Sequence, residues 1–135
     1  MKCTVLAVGR LRPPYADDVQ HYRTLLIRHT RLELVEVREH DHVEKRIGER
    51  DFVVLLNSEG TAFDSVGFSR WLEERRRDGR DLTFVVGGPY GLDLERADLR
   101  LSLGPMTLPH QLARVVLLEQ LYRAHKILAN EPYHY

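Results

Sequence analysis

Three loops rich in glycine and proline carry the residues of this sequence that are best suited to hold a ligand. Each follows a short apolar run, and they span residues 56–60, 87–91 and 103–109. Glycine lets a backbone approach a ligand closely, and proline prevents regular pairing, so such loops leave backbone groups free to bind. The middle loop, G-G-P-Y-G, is not the G-x-G-x-x-G dinucleotide fingerprint and lacks the lysine of a P-loop. The pattern predicts a small, mostly uncharged pocket built mainly from backbone.

Residues that could act as a nucleophile or bind a metal are few. The sequence has no G-x-S-x-G turn and no credible Cys-His pair, so nucleophilic hydrolysis is disfavoured. His40 and His42 flank Asp41 in a polar segment, but two histidines without a distant third ligand are more often solvated, and we expect no metal. A shaped pocket near several C-terminal histidines and tyrosines suits a cofactor that brings its own reactivity.

Alternating strands and helices are predicted to position these loops. Apolar runs at residues 3–9, 32–37, 52–56, 82–86 and 101–103 predict strands, of which 52–56 should be central. Helical spacing predicts one helix after Pro14, a second that Ser65 caps and Gly79 ends, and a third from Pro109 to about Asn130. The charged residues 38–50 form at most one or two helical turns. We therefore predict a single domain, residues 1–135, of the α/β class with a mostly parallel sheet.

The last predicted helix is apolar on two sides. One broad face comprises Ala113, Val116, Leu117, Leu121, Ala124, Ile127 and Leu128. A narrower second face comprises Val115, Leu118 and Tyr122. Such a helix is buried on both sides. Its second partner is either another helix of the same chain or a second copy of the protein, and the pattern does not decide between them.

Charge and cysteine content limit the partners and the compartment. With 20 Lys plus Arg and 20 Asp plus Glu, the formal net charge is zero, so composition offers no general argument for a nucleic-acid partner. Cys3 is the single cysteine, which excludes an internal disulfide and favours a reducing compartment. No apolar run approaches membrane-spanning length, and we expect a cytoplasmic protein without a membrane partner.

Several motifs, in one order, resemble a known family. They are V-L-A-V-G at 5–9, L-L-N-S-E-G at 55–60, G-G-P-Y-G at 87–91, L-S-L-G-P-M-T-L-P-H-Q-L-A-R-V-V-L-L-E-Q-L-Y-R-A at 101–124 and N-E-P-Y-H at 130–134. Together they are similar to the RlmH (YbeA) family of small SPOUT-class methyltransferases over nearly the whole chain. The resemblance is weakest at residues 38–50, where relatives usually carry a longer, lysine-rich loop. It implies methylation of N3 of a pseudouridine in helix 69 of 23S rRNA, dependent on S-adenosylmethionine and acting on the assembled 70S ribosome.

The resemblance also implies a fold and a set of site residues. It implies a deep trefoil knot in the C-terminal part, which periodicity would not have suggested, and a homodimer packed through that region. The S-adenosylmethionine site would comprise Leu56, Gly88, Gly104, Pro105, Met106, Thr107, Leu108 and Pro109. Because the imide N3–H of the acceptor must lose its proton, a base is needed. The tail of the family implies His134 as this base or as a group that positions the base edge, and Tyr133 as a stacking partner of the nucleotide.

The final residue departs from the family pattern, since Tyr135 stands where relatives generally carry arginine. This removes an expected phosphate contact, and the candidates to replace it are Arg10, Arg12, Arg114 and Arg123. Two other functions stay open: a ribosome-associated RNA-binding dimer that keeps the cofactor pocket without turnover, and a methyltransferase that acts on another RNA.

Overall fold

In the part of the chain that the structure describes, five strands and three α-helices make up the fold. The structure, a computed structural model, describes residues 1–133. In chain order the elements are β1 Lys2–Val8, α1 Tyr15–Leu26, β2 Arg31–Val37, β3 Phe52–Ala62, α2 Ser65–Asp78, β4 Leu82–Val86, β5 Leu99–Ser102 and α3 His110–Leu128. Two short 3-10 turns, His40–His42 and Glu44–Arg46, lie between β2 and β3, in the charged segment predicted to hold at most two helical turns.

The strands form one parallel sheet in the order β2-β1-β4-β3-β5. This confirms the predicted α/β class. β3 is interior, as predicted, while β4 takes the middle position and is buried along its whole length. Because every strand runs in the same direction, the loops that follow β1, β3, β4 and β5 meet at one edge of the sheet, where open α/β sheets bind their ligands.

The side chains of the strands alternate between two differently covered faces. On one face α3 packs between α1 and α2, and it contributes core residues that are at most 1% exposed: Leu117, Leu118, Leu121 and Ala124. The other face is covered by the 3-10 turns and the segment after β4, through Val43, Ile47 and Leu94. No regular helix of eight residues or more covers this second face within residues 1–133.

Strand β3 is longer than predicted. The turn-forming residues 57–60 were expected to end it, but it continues to Ala62. It pairs with β5 on both sides of an excursion, since Leu56 and Thr61 both align with Leu101. Gly60 permits this return, because a Cβ at that position would collide with the backbone carbonyl of Arg100. The excursion is therefore a bulge within the strand rather than its end.

Two helix starts also differ from the prediction. Asp64, not Ser65, caps α2, and its Oδ1 accepts a hydrogen bond from the backbone N–H of Gly67 at 2.6 Å. The Ser65 hydroxyl donates instead to Gln120 of α3 at 2.8 Å. Pro109 lies just outside α3 in an extended conformation (ψ 139°) and so precedes the first helical turn. Gly79 ends α2 with φ 83°, as predicted.

The second apolar side of α3 is only partly covered within the chain. Leu118, predicted on that side, is fully buried in the helical core. Val115 and Tyr122 are half-buried, as is Leu112. Two residues predicted on the broad face are also not fully buried, since Val116 is half-buried and Ile127 is 37% exposed. The structure thus leaves a half-exposed apolar stripe along α3, which we define as Leu112, Val115 and Val116.

Candidate functional site

A cleft of about 670 Å³ lies at the carboxyl edge of the sheet. It is bordered by the bulge of β3, by the loops that follow β4 and β5, and by the first turn of α3. Its volume lies within the range of roughly 300–1,000 Å³ that small-molecule sites occupy. The three glycine- and proline-rich loops identified in the sequence therefore meet around a single cavity.

Seven of the eight predicted cofactor residues line this cleft: Leu56, Gly88, Gly104, Met106, Thr107, Leu108 and Pro109. Pro105 belongs to the same loop but is exposed and lies outside the lining. The side chain of Met106 is 81% exposed, so it stands at the mouth of the cleft and does not belong to the core. Leu108 is half-buried.

The loops that border the cleft are held by close backbone packing. A Cβ at Gly87 would lie 2.9 Å from the Cβ of Leu92, so only glycine fits where the loop after β4 folds back on itself. Gly104 has φ +136°, a conformation that L side chains rarely adopt. The Ser102 hydroxyl accepts from the N–H of Gly104 at 3.1 Å and is placed to donate to the carbonyl of Ser58 at 3.1 Å or of Gly104 at 2.9 Å. These hydrogen bonds join the bulge of β3 to the end of β5 beside the cleft.

His110 is a cleft residue that the sequence analysis missed as a functional candidate. It is the first residue of α3 and lines the cavity. Its burial, followed by the positive charges of Arg114 and Arg12, lowers the pKa of its imidazole. The ring is therefore neutral at pH 7 and can accept a proton or a hydrogen bond. The sequence feature that could have identified His110 as a cleft residue is its position, directly after the proline that ends a predicted binding loop.

The chain matches one family model from end to end. Residues 1–134 match the family described as "Predicted SPOUT methyltransferase". The chain belongs to the SPOUT methyltransferase family. Curated relatives named "Ribosomal RNA large subunit methyltransferase H" agree with this: the protein of Ruminiclostridium cellulolyticum is 40% identical over 158 aligned positions, which cover 99% of each chain. The relative from Solidesulfovibrio magneticus is 43% identical over 149 positions, which cover 97% of each chain.

These alignments confirm the resemblance seen in the sequence, and they also show that this family member is short. The alignment with the R. cellulolyticum protein spans 158 positions against 135 residues here, so at least 23 positions have no counterpart in this chain. A protein of the same name from Gemmatimonas aurantiaca is 40% identical over 153 positions, which cover 99% of each chain. This chain therefore aligns with nearly the whole length of each relative although it has fewer residues.

In this SPOUT methyltransferase, Tyr133 lies outside the cleft of its own chain. Its hydroxyl donates to the carboxylate of Glu119 at 2.9 Å, and the guanidinium of Arg123 lies 4.4 Å from the centre of its ring. Burial, and then Glu119, raises the pKa of Tyr133, so the phenol stays protonated. Glu119 follows His110 by nine residues, or about 13.5 Å along the helix. The structure therefore does not bring Tyr133 to the cleft within one chain, and His134 lies outside the described residues.

Two of the four arginines that were candidates for RNA contact are instead bound to other groups of the protein itself. Arg114 is 5% exposed and donates to Glu36 at 2.9 Å and to the carbonyl of Gly9 at 2.7 Å. Arg123 forms an ion pair with Glu119 at 3.0 Å. Neither offers its charge freely to a ligand, which leaves Arg10 and Arg12.

The candidate metal motif is not assembled into a site. Among residues 1–133, no three His, Cys, Asp or Glu side chains cluster as metal ligands. His40 instead packs behind Gly88, where a Cβ on the glycine would lie 3.6 Å from its Nε2. None of the helices in the same part of the chain is long and apolar enough to cross a membrane.

Proposed function

We propose that this protein is an S-adenosylmethionine-dependent rRNA methyltransferase. The observation that carries the proposal is the cleft at the carboxyl edge of the sheet, bordered by all three predicted binding loops, in a chain of the SPOUT methyltransferase family. The names of its relatives support large-subunit rRNA as the substrate class. The finer proposal is N3 of a pseudouridine in helix 69 of 23S rRNA, on the assembled 70S ribosome in the cytoplasm.

The residues of the cleft fit this cofactor. Within residues 1–133 the lining contains no Asp, Glu, Lys or Arg, and it combines backbone groups of Gly88 and Gly104 with apolar side chains such as Leu56 and Leu108. Leucines suit the faces of an adenine ring, while backbone amides and carbonyls suit its polar edge. The cofactor would supply a methyl group already activated by its sulfonium. The protein has then mainly to hold donor and acceptor in line.

The acceptor needs a base, because an imide N3–H must give up its proton before or during attack. His110 is a neutral imidazole in the cleft and can accept that proton. His134 is the candidate that the tail motif implies. We propose that the proton leaves to one of these two rings while the loop at residues 104–109 orients the methyl donor.

A homodimer would bring the tail to a cleft. Tyr133 rests about 13.5 Å along α3 from His110 in its own chain. The half-exposed apolar stripe of Leu112, Val115 and Val116 lies on the same side of α3 as Glu119, which holds Tyr133. We propose that a second copy covers this stripe, so that the tail of one copy reaches the cleft of the other. The knotted C-terminal path implied by the resemblance belongs to the same proposal.

The deciding experiment measures transfer of radiolabelled methyl from S-adenosylmethionine to 70S ribosomes from cells lacking this activity. We expect label in 23S rRNA from the wild-type protein. Removal of the working base, in His110→Gln or His134→Ala, should lower the methyl-transfer rate by about 10²- to 10⁴-fold with little effect on binding of S-adenosylhomocysteine. Pro109→Ala, which alters the binding loop, should instead weaken cofactor binding.

Each competing function predicts a different outcome. A non-catalytic RNA-binding dimer would bind S-adenosylhomocysteine and ribosomes but transfer no methyl group. A methyltransferase for another RNA would label naked small RNA, for example tRNA, and leave ribosomes unlabelled. Either result would contradict the proposed activity on rRNA.

A further inference from the structure

The loop that follows β1, residues 9–14, is held by side chains from two other elements. Gln111 of α3 accepts from the N–H of Arg12 at 2.7 Å and donates to the carbonyl of Arg10 at 2.7 Å. Arg114, one turn further along α3, donates to the carbonyl of Gly9 at 2.7 Å. Glu36 of β2 accepts from the N–H of Leu11 at 2.7 Å. Four consecutive residues, 9–12, are thus each tied through a backbone group.

This arrangement uses buried polar groups that are costly to desolvate. Gln111 is 6% exposed and Arg114 is 5% exposed, and a buried guanidinium is tolerated only with partners. Besides Glu36, the hydrogen-bond partners of these two side chains within residues 1–133 are all backbone groups of residues 8–12. The buried network therefore serves chiefly to immobilise the loop.

The immobilised loop displays two arginine side chains next to the cleft. Arg10 and Arg12 are exposed, and neither guanidinium is hydrogen-bonded or ion-paired to any of residues 1–133. The loop contacts α3 at Gln111, directly after His110 of the cleft, and Arg12 is close enough to contribute to the lowered pKa of that histidine. The end of β1 also lies beside the glycine-rich loop, since a Cβ at Gly88 would lie 3.5 Å from Val8.

We propose that Arg10 and Arg12 form a fixed platform that binds phosphate groups of the RNA backbone at the rim of the cleft. This inference rests on the proposed function. Guanidinium groups suit phosphate because they donate two parallel hydrogen bonds. In a protein of zero net charge, attraction to RNA must come from local clusters of this kind. Because the backbone beneath is already fixed, binding orders only the two side chains.

The test measures the affinity of the protein for 70S ribosomes over a series of salt concentrations. The variants are Arg10→Ala, Arg12→Ala and the double variant. Their side chains take no part in the hydrogen bonds that hold the loop, so the fold should be kept. Arg28→Ala is the matched control, since Arg28 is an exposed arginine between α1 and β2, at the opposite edge of the sheet. Binding of S-adenosylhomocysteine is measured alongside.

We expect the double variant to bind ribosomes more weakly, with the slope of log affinity against log salt reduced in magnitude by about 1.4 to 1.8, since each phosphate contact contributes about 0.7 to 0.9. Each single variant should lose about half of this, and Arg28→Ala should match the wild type. An unchanged slope in the double variant, or a loss confined to S-adenosylhomocysteine binding, would contradict the phosphate-binding role of Arg10 and Arg12 and leave the proposed function standing. Wild-type binding without methyl transfer would overturn the proposed function alone, and no wild-type binding would overturn both.

Discussion

His125 is a buried polar side chain whose ionisation is unfavourable in the folded protein. It is 6% exposed, and its ring stacks on that of His29 with 5.7 Å between centroids. Burial, and then the neighbouring His29 and Arg76, lowers the pKa of His125 to about 4. The imidazole is therefore neutral in the folded protein at neutral pH and resists protonation until the medium is strongly acidic.

The free energy of unfolding should consequently fall as the pH falls from 6.5, the ordinary histidine pKa, towards about 4. In this window the unfolded chain binds a proton at His125 that the folded protein does not, which lowers stability by up to about 1.4 kcal/mol per pH unit. Urea unfolding of the wild type and of His125→Phe at several pH values checks this. The difference between the two should shrink or reverse on acidification, and a constant difference would contradict the assignment. His21→Phe, at an exposed histidine, is the control.

The glycine and proline residues made the position of the cleft predictable from the sequence. The polar contacts around the cleft could not be predicted in this way. The loops at residues 87–91 and 104–109 could be placed because a strand followed by Gly and Pro must open at the carboxyl edge. The contact of Tyr133 with Glu119 joins residues 14 apart through the reversal after α3, and no spacing rule indicates it. His110 was missed for a related reason, since its lowered pKa follows first from burial and then from the charges of Arg114 and Arg12, and that burial depends on the tertiary fold.

At the scale of elements, the pairing of β3 with β5 overrides a strong local turn signal. Asn57 does form the local contact that its type favours, because its side-chain oxygen accepts from the N–H of Glu59 at 2.8 Å. The chain nevertheless returns to pair Thr61 with Leu101. Local sequence could predict the turn but not the resumption of the strand, which needs β5 as a template some 40 residues away.

Replacement of Gly60 by alanine should therefore be strongly destabilising. The added Cβ would collide with the carbonyl of Arg100 and lie 3.0 Å from the N of Leu101, and neither backbone can retreat without loss of the β3–β5 pairing. We expect Gly60→Ala to lower the free energy of unfolding by about 2 kcal/mol or more. Gly88→Ala is the matched control for stability, because its Cβ would meet only ordinary contacts at 3.5 Å and 3.6 Å, with Val8 and His40. Equal urea midpoints for the two variants would contradict this explanation.

Across the whole molecule, the alternation of strands and helices predicted the α/β class, but not the order of the sheet. The order β2-β1-β4-β3-β5 places β1 beside β4, although 73 residues separate the end of one from the start of the other. The second sheet face also escaped prediction, since its cover comes from short turns whose few apolar residues, such as Val43 and Ile47, stand alone among charges. Both features depend on contacts between distant parts of the chain.

The position of α3 between α1 and α2 makes it necessary for a stable core. A chain ending at residue 109 would lose Leu117, Leu118 and Leu121, each at most 1% exposed. We expect this fragment to show no cooperative urea transition in the near-ultraviolet signal of Trp71, which is buried beside Phe68. A chain ending at residue 133 keeps the whole helix and should unfold cooperatively. Cooperative unfolding of the 1–109 fragment would show that the sheet and two helices suffice.

The position of α3 after all five strands also bears on how the protein is made. β1 is synthesised well before its neighbour β4 and the helix that packs on this face of the sheet. At a translation rate of roughly 5–20 residues per second, about 6 to 24 seconds pass between the synthesis of β1 and the addition of residues near position 128. While these residues are being added, the nascent chain must stay soluble with its apolar strands uncovered, and the helical face of the sheet can reach its final packing only after α3 has been synthesised.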